Sequence, residues 1–487
     1  MQVKEVNSQT QYSKEFNNYQ KERQEHWNKV AHSLSSWKGW GNYYHKRLSA
    51  ILQNQIPINQ KVLEIGCGNG DLLISLSPSV GIGIDFSPQM CLRAKSHHPE
   101  LKILQADAQS LPVSGSFDFI ILSDLLNDVW DVQLVLEQTR KISSQHTRVF
   151  INIYSRLWEI PLAIGQKLKL AKPNLLQNWL TPQDIERLLY LTNFEVIKNC
   201  PEIIFPFNIP ILAPLLNQFL GKFWPFKHLA LTNLLVARPV QTTHKSVEKK
   251  RVSIIVPTRN EAGNINTIFQ RTPELGAGTE LIFIEGHSLD DTYESILQVM
   301  SENPDRDAKL YRQTGKGKGD AVRLGFEKAS GEILMILDAD LTVPPEDLIL
   351  FYNALVTRKG DFINGVRLVY PMEDQAMRFL NLLGNKFFSL AFTWLLDQPI
   401  KDTLCGTKVL FKTDYNRIAA NRSSFGDFDP FGDFDLLFGA TKLNLKIIDL
   451  PIRYQSRTYG TTNINRFQHG FLLLKMVLFA ARRIKFI

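Results

Sequence analysis

The chain has 487 residues, 44% hydrophobic and 21% charged. That composition excludes a disordered or low-complexity protein and allows roughly two to four domains. The formal net charge of +8 favours an anionic partner (phosphate, nucleotide, nucleic acid or a membrane surface) without choosing among them.

Cys67, Cys91, Cys200 and Cys405 are far apart and form no CxxC, so reduced cytoplasmic thiols are expected rather than a disulfide framework. The opening stretch, MQVKEVNSQTQYSKEFNNYQ, is polar and does not resemble a signal peptide. No segment offers about 20 uninterrupted apolar residues, so no spanning helix is expected. Three apolar stretches have polar or proline interruptions: 203–226, 379–396 and 470–487. They leave room for attachment at the inner face of a membrane.

KVLEIGCGNGDLL (61–73) reads as a buried strand, a glycine turn at Gly66, Gly68 and Gly70, and a helix start. About 20 residues on, Asp85 follows a second strand, where an acid can accept from both ribose hydroxyls of an adenosine cofactor. Asp107 follows a third strand, and Ser123 and Asp124 a fourth. A dinucleotide dehydrogenase would want G-x-G-x-x-G for a pyrophosphate. Here the third glycine comes two residues after the second, and Asp71 follows it.

This half resembles the class I S-adenosylmethionine-dependent methyltransferases over about residues 40–240. Glu64 to Gly68 fits E-x-G-x-G, Asp85 to Ser87 the acid after strand two, and Asp107–Ala108 and Phe117–Asp118 the next two elements. The resemblance implies that Asp85 holds the ribose, that Asp107 and Ala108 lie by the adenine, and that Glu64, Gly66, Gly68 and Ser123 complete an S-adenosylmethionine site. The methyl acceptor is not visible. Tyr43, Tyr44, His45, Asp128 and Trp130 are candidate lining residues, each as well explained by packing or surface exposure. The N-terminal helices and the 203–226 stretch can cap the pocket.

PVQTTHKSVEKKR (239–251) is polar and basic between two apolar strand candidates, and reads as a linker. The expected domains are 1–240 and 251–487, joined by 241–250. Each begins its own strand-then-helix series, so the fold class is α/β in both.

In the second half, VSIIVPTRNEAGNI (252–265) and ELIFIEGHSLDDT (280–292) are strands that end in polar turns. RQTGKGKGDAVRLGFEKASG (312–331) is a Gly/Lys loop opening a helix, and ILMILDAD (333–340) is a buried strand ending in Asp338 and Asp340. Two carboxylates one residue apart suit a hard cation shared with phosphate oxygens, so Mg2+ or Mn2+ is expected.

The ordered set resembles the family-2 glycosyltransferases of the GT-A fold, with the polyprenyl-phosphate sugar synthases nearest in pattern. Val256 to Glu261, Gly317 to Arg323, Asp338 to Asp340, Asp402 to Lys408 and Arg457 to Thr462 carry it. The resemblance implies that Pro257, Glu261 and Glu285 surround the nucleotide, with Lys318 near its phosphates. It makes Asp338 and Asp340 the metal site, with Asp340 the direct ligand, and puts Asp402 in the acceptor region. Glu285-Gly286-His287-Ser288 departs from the usual two acids, glycine and serine, which leaves a UDP- or GDP-sugar donor open.

A lipid phosphate acceptor needs cations, which Arg367, Arg378 and Arg457 can supply. A hydroxyl acceptor needs a base, and 425–439 offers Asp427, Asp429, Asp433 and Asp435. The C-terminal stretch suggests an amphipathic helix with Lys475, Arg482, Arg483 and Lys485 on its polar side, suited to lipid headgroups or to packing on the domain. The expected function is a bifunctional transferase, with inverting sugar transfer, in the cytoplasm or at the inner face of the membrane. The alternatives are an active glycosyltransferase beside a binding or regulatory module, and a membrane-surface scaffold with neither activity. No basic stripe with an aromatic platform points to nucleic acid.

Overall fold

The structure, a computed structural model, describes residues 2–33, 41–167, 175, 177–240, 248–367, 379–422, 432–452, 455, 457, 459 and 466–486. Arg378, Asp427 and Asp429 lie outside the described residues, as does the side chain of Asp433. Two compact units divide the chain, Met1–Thr242 with Phe486–Ile487, and Thr243–Lys485.

In the first unit, seven strands form one sheet in the order β3-β2-β1-β4-β5-β7-β6. They are β1 (Lys61–Ile65), β2 (Val80–Asp85), β3 (Lys102–Gln105), β4 (Phe119–Ser123), β5 (Arg148–Tyr154), β6 (Phe194–Glu202) and β7 (Thr232–Pro239). The first five pair in parallel, and β7 runs antiparallel between β5 and β6. The apolar runs are continuous because both faces are covered. Along β1 and β4, Val62, Phe119 and Ile121 face one core, and Leu63, Ile120 and Leu122 the other. Each fully buried large apolar side chain contributes about 1.5–3 kcal/mol relative to leaving it exposed.

The helices are α1 (Gln2–Ser33), α2 (Gly41–Gln55), α3 (Asp71–Ser75), α4 (Pro88–His97), α5 (Val132–Lys141), α6 (Glu159–Lys167), α7 (Pro182–Leu191) and the single turn α8 (Leu212–Pro214). The prolines of 203–226 limit that stretch to short turns, as its sequence suggests.

The second unit repeats the logic with β8 (Val252–Thr258), β9 (Thr279–Glu285), β10 (Ala308–Arg312), β11 (Ile333–Ile336), β12 (Phe362–Val366), β13 (Lys408–Phe411) and β14 (Ile447–Pro451). Their order is β10-β9-β8-β11-β13-β12-β14, with β13 antiparallel to both neighbours. Each sheet is thus mostly parallel, as the sequence pattern suggests, and is made mixed by one antiparallel strand, β7 or β13.

Its helices are α9 (Ile265–Arg271), α10 (Thr292–Glu302), α11 (Lys318–Lys328), α12 (Leu348–Val356), α13 (Phe379–Leu396), α14 (Lys412–Ala420), α15 (Asp433–Lys442) and α16 (Arg466–Ile484), with α13 packed on α16. Among the described residues no helix is long and apolar enough to cross a membrane. On α16, Phe471, Leu474 and Leu478 are exposed together with Lys475, Arg482 and Arg483. Lys485 corrects the sequence reading: it is buried and paired with Asp397, so it leaves the polar side.

Candidate active sites

Both sheets reverse their strand order beside their first strand, between β1 and β4 and between β8 and β11. A crevice opens at the carboxyl ends of the strands at such a switch point. Each set of candidate residues gathers there.

In the first unit, β1 runs into Gly66, Gly68 and Gly70, all with positive φ. At Gly68, with φ +53, the space where a side chain would stand is open. The Gly68 N–H donates to Asp85 Oδ2 at 2.8 Å, and the Ser87 N–H to Asp85 Oδ1 at 2.8 Å. Ser87 in turn caps α4, its Oγ accepting from the Met90 N–H at 3.2 Å, with Pro88 in the first helical turn. Local cap chemistry thus fixes the acid at the end of β2.

Burial pushes the Asp85 carboxyl up, against the pull of these N–H groups. Glu64 is also buried and lies well above the usual range, first through burial and then through Asp85. Its Oε2 has no hydrogen-bond partner. Burial and these two acids also push the Cys67 thiol up.

These residues line a cavity of about 800 Å³, with Asp107, Ala108 and Ser123 also on its wall. Asp107 accepts from the Gln109 N–H at 2.9 Å and from Gln20 of α1. The cavity therefore brings together Glu64, Gly66, Gly68, Asp85, Asp107, Ala108 and Ser123.

Of the acceptor-side candidates, Tyr44, His45, Asp128 and Trp130 line it. The hydroxyl of Tyr43 instead accepts from Asn217 Nδ2 at 3.1 Å. Helix α1 forms part of the wall through Tyr19, Gln20, Arg23 and Trp27. Trp27 Nε1 donates to Asp128 Oδ2 at 2.5 Å, and Arg23 Nε lies 3.1 Å from Asp128 Oδ1.

One cluster goes beyond the sequence reading. Asp124, with φ +55, accepts from Tyr44 Oη at 3.0 Å, Tyr154 Oη at 3.2 Å and Asn152 Nδ2 at 2.5 Å. Its signal in the sequence was the acid directly after Ser123. Its partners come from α2 and β5.

In the second unit, Asp338 and Asp340 follow β11. Lys318, the first residue of α11, places Nζ 2.5 Å from Asp338 Oδ1. Burial raises the Asp338 carboxyl, but Lys318, and then Lys408 and Arg367, outweigh it and hold it below the usual range. Gly406 closes the pair from behind. A Cβ there would fall 2.0 Å from Asp338 Oδ2 and 2.2 Å from Lys318 Nζ.

Asp340 Oδ1 accepts from the Thr342 hydroxyl at 2.8 Å, and Asp340 Oδ2 from Arg457 Nη2 at 2.7 Å. Arg457 Nη1 also reaches Glu261 Oε1 at 3.4 Å, while Asn264 Nδ2 donates to Glu261 Oε2 at 2.8 Å. Burial pushes the Glu261 carboxyl up to about 7, with Arg457 opposing and Asp340 adding to the rise. Glu285, at the end of β9, is buried and accepts from the Ser288 N–H at 2.5 Å, pinning the turn at His287. Pro257 sits on β8 beside Ile284.

Asp402 is buried and bidentate with Arg367, at 2.7 Å to Nε and 2.9 Å to Nη2. The Arg367 and Leu404 N–H groups add bonds at 3.1 and 3.0 Å. Burial would raise this carboxyl, but Arg367 prevails and holds it low. Such a group positions Arg367 better than it accepts a proton. Asp435 is buried and paired with Arg422 Nε at 2.7 Å. Gly432, with φ +73, precedes α15, and a Cβ there would lie 2.6 Å from Gly319 Cα. The start of α15 is thus in van der Waals contact with the Gly/Lys loop. Among the described residues no group of three or more His, Cys, Asp or Glu is arranged to hold a metal ion. The carboxylate pair still fits Mg2+ or Mn2+, which take one or two carboxylates and complete their shell with water and substrate phosphate.

Comparison with known proteins agrees with this division. The family model "Methyltransferase domain" matches residues 62–144, and "Glycosyl transferase family 2" matches 253–419. A dolichol-phosphate mannosyltransferase from Pyrococcus furiosus is 37% identical over 236 residues, 46% of this chain. The match spans 64% of that relative's length, short of two thirds. Among solved structures, a SAM-dependent methyltransferase from Thermotoga maritima is 14% identical with a TM-score of 0.36, covering 44% of this chain and 99% of its own. Glucosyl-3-phosphoglycerate synthase from Mycobacterium tuberculosis is 17% identical with a TM-score of 0.37, covering 50% of this chain and 86% of its own. The chain thus carries a methyltransferase domain followed by a family 2 glycosyl transferase domain, two transferase folds in one polypeptide.

Proposed function

We propose that the second unit transfers a sugar from a nucleoside diphosphate sugar to a polyprenyl phosphate, and that the first methylates an acceptor from S-adenosylmethionine. The observation that carries the sugar reading is the convergence of Asp338, Asp340, Glu261, Lys318 and Arg457 at one switch point. Asp340, with Asp338 beside it, would hold Mg2+ or Mn2+, which when bound neutralises charge on a departing nucleoside diphosphate. Lys318 lies where it can turn from Asp338 to a diphosphate oxygen, and Arg457 can do the same from Asp340. Arg367, fixed by Asp402, supplies a preorganised cation for an acceptor phosphate. That acceptor is already anionic and needs no base. A phosphate oxygen attacks the anomeric carbon from the face opposite the leaving diphosphate and inverts it. The name of the Pyrococcus relative supports a polyprenyl phosphate as acceptor, as do the exposed apolar residues of α16, which suit a membrane surface.

In the first unit, Asp85 would take the ribose hydroxyls. The test is label transfer. Purified chain receives Mg2+ or Mn2+, a panel of radiolabelled UDP- and GDP-sugars, and a short polyprenyl phosphate. Metal-dependent label in the organic phase from one donor is the expected result. Nucleotide-sugar binding without such label would defeat the lipid-phosphate acceptor and direct attention to Asp433 and Asp435.

A further inference from the structure

At the switch point of the second unit two acids are already answered by two cations of the chain itself. Lys318 Nζ lies 2.5 Å from Asp338 Oδ1, and Arg457 Nη2 donates to Asp340 Oδ2 at 2.7 Å. A divalent cation needs a carboxylate oxygen with a lone pair and its charge to spare, so the oxygens of Asp340 that are engaged decide how one can enter.

Asp340 Oδ1 accepts twice within its own turn, from the Thr342 hydroxyl at 2.8 Å and from the Thr342 N–H at 3.2 Å. Leu341 between them has φ +55, a conformation costly for a leucine that these bonds help to hold. Both lone pairs of Oδ1 are thus used. Oδ2 is the oxygen left to face a ligand, and Arg457 stands on it. A divalent cation there would share the oxygen with a full positive charge, and like charges that close repel.

Arg457 is held loosely enough to leave. It divides its guanidinium between two acids, with Nη1 3.4 Å from Glu261 Oε1. Its side chain is 28% exposed and that of Asp340 17%. Arg367 and Asp402 are the contrast, with two nitrogens on one carboxylate and side chains 12% and 1% exposed. The backbone on either side of Arg457 is tied down. The Gln455 N–H donates to the Thr342 carbonyl at 2.9 Å, and the Tyr459 ring lies against Gly263, where a Cβ would fall 2.6 Å from its Cδ2. The arginine side chain can therefore swing while its backbone stays beside the Asp340 turn and the Glu261 loop.

We propose that Arg457 stands in for the metal at Asp340, so that the second unit takes up a divalent cation only together with a nucleoside diphosphate, whose phosphates draw the guanidinium off Oδ2. This rests on the reading of Asp340 as a metal ligand. The exchange is electrostatic and breaks no covalent bond. Diphosphate and divalent cation then bind with positive coupling, each raising the affinity for the other. The form that the site accepts is the metal–nucleotide complex rather than either component alone.

The test uses the full chain and Mn2+, with free Mn2+ read by electron paramagnetic resonance, first without nucleotide. The wild type should bind weakly and Arg457→Gln roughly tenfold more tightly. Arg457→Met, which keeps the length of the side chain without its charge, should do the same. Adding Asp340→Asn to Arg457→Gln should abolish the gain. Binding of UDP and of GDP is then measured by calorimetry in saturating Mn2+. Arg457→Gln should weaken whichever of the two the wild type binds, because the guanidinium that meets the phosphates is gone. One substitution thus has two effects of opposite sign, which a loss of folded structure would not give. Equal or weaker Mn2+ binding in both Arg457 variants, with nucleotide binding by the wild type intact, would overturn the proposal and leave the metal reading standing. Unchanged nucleotide affinity in Arg457→Gln would overturn the exchange. A gain that persists in the double variant would place Mn2+ away from Asp340 and overturn it as well. A wild type that binds neither UDP nor GDP in Mn2+ would sink the donor reading itself, and the proposal with it.

Discussion

At the first site Asp85 is met by two backbone N–H groups, and the neighbouring buried Glu64 is raised further by it. At the second, Asp338 and Asp340 are each met by a full cation, Lys318 and Arg457. The same element, an acid at a parallel strand end, therefore serves two electrostatic purposes. Neutral donors hold a carboxyl group in place and leave it free to accept, which suits the hydroxyls of a ribose. Cations paired to carboxylates form a reservoir that can pass to a polyanion as it arrives, which suits a diphosphate.

The comparison can be broken most sharply at Asp340. Asp340→Asn should lower sugar transfer roughly a thousandfold and leave S-adenosylmethionine affinity unchanged. Transfer at the normal rate would remove Asp340 from the metal site. Next in size is the support behind the second site. Asp402→Ala leaves the mostly buried Arg367 without its bidentate partner and should cost about 3 kcal/mol in denaturant unfolding of the full chain. Little change would mean that Arg367 re-pairs or reaches water.

The first site is tested by Asp85→Ala. It removes both ribose acceptors and the tie to Gly68, and should weaken S-adenosylmethionine roughly a hundredfold by calorimetry, with nucleotide-sugar binding intact. Equal losses at both sites would mean that the variant damages folding rather than one pocket.

The smallest effect sharpens the contrast through pH. The Glu261 carboxyl is raised to about 7 from an ordinary 4.5. Between those values the folded chain keeps a proton that the unfolded chain has released, so this group's contribution to stability falls as pH rises. The melting temperature of the wild type, relative to Glu261→Gln, should drop by a few degrees across that window and level off above it. A difference that grows with pH would show that Arg457 dominates and the carboxyl is not raised.

What was legible in the sequence follows from local physics. KVLEI and ILMI read as strands buried on both faces, and their ends read as sites, because an acid directly after such a run must stand at the sheet's edge. The partners of those acids were not legible. Arg457 is 117 residues from Asp340, and Tyr44 is 80 from Asp124. No local periodicity connects such pairs. Asp402 shows the same limit. Its motif marks it for the acceptor region, but only the fold reveals Arg367 locked against it. The N-terminal helices were expected to cap the pocket, but which residues of α1 would line it was not legible. Its sequence is polar, and its role in the cavity wall rests on Tyr19, Arg23 and Trp27 repeating every four residues along one face.

The contact between Gly432 and Gly319 has a steric consequence. With no side chain on either residue, nothing cushions one backbone against the other. A side chain at Gly432 would fall on Gly319, so this glycine sets how closely the start of α15 approaches the Gly/Lys loop.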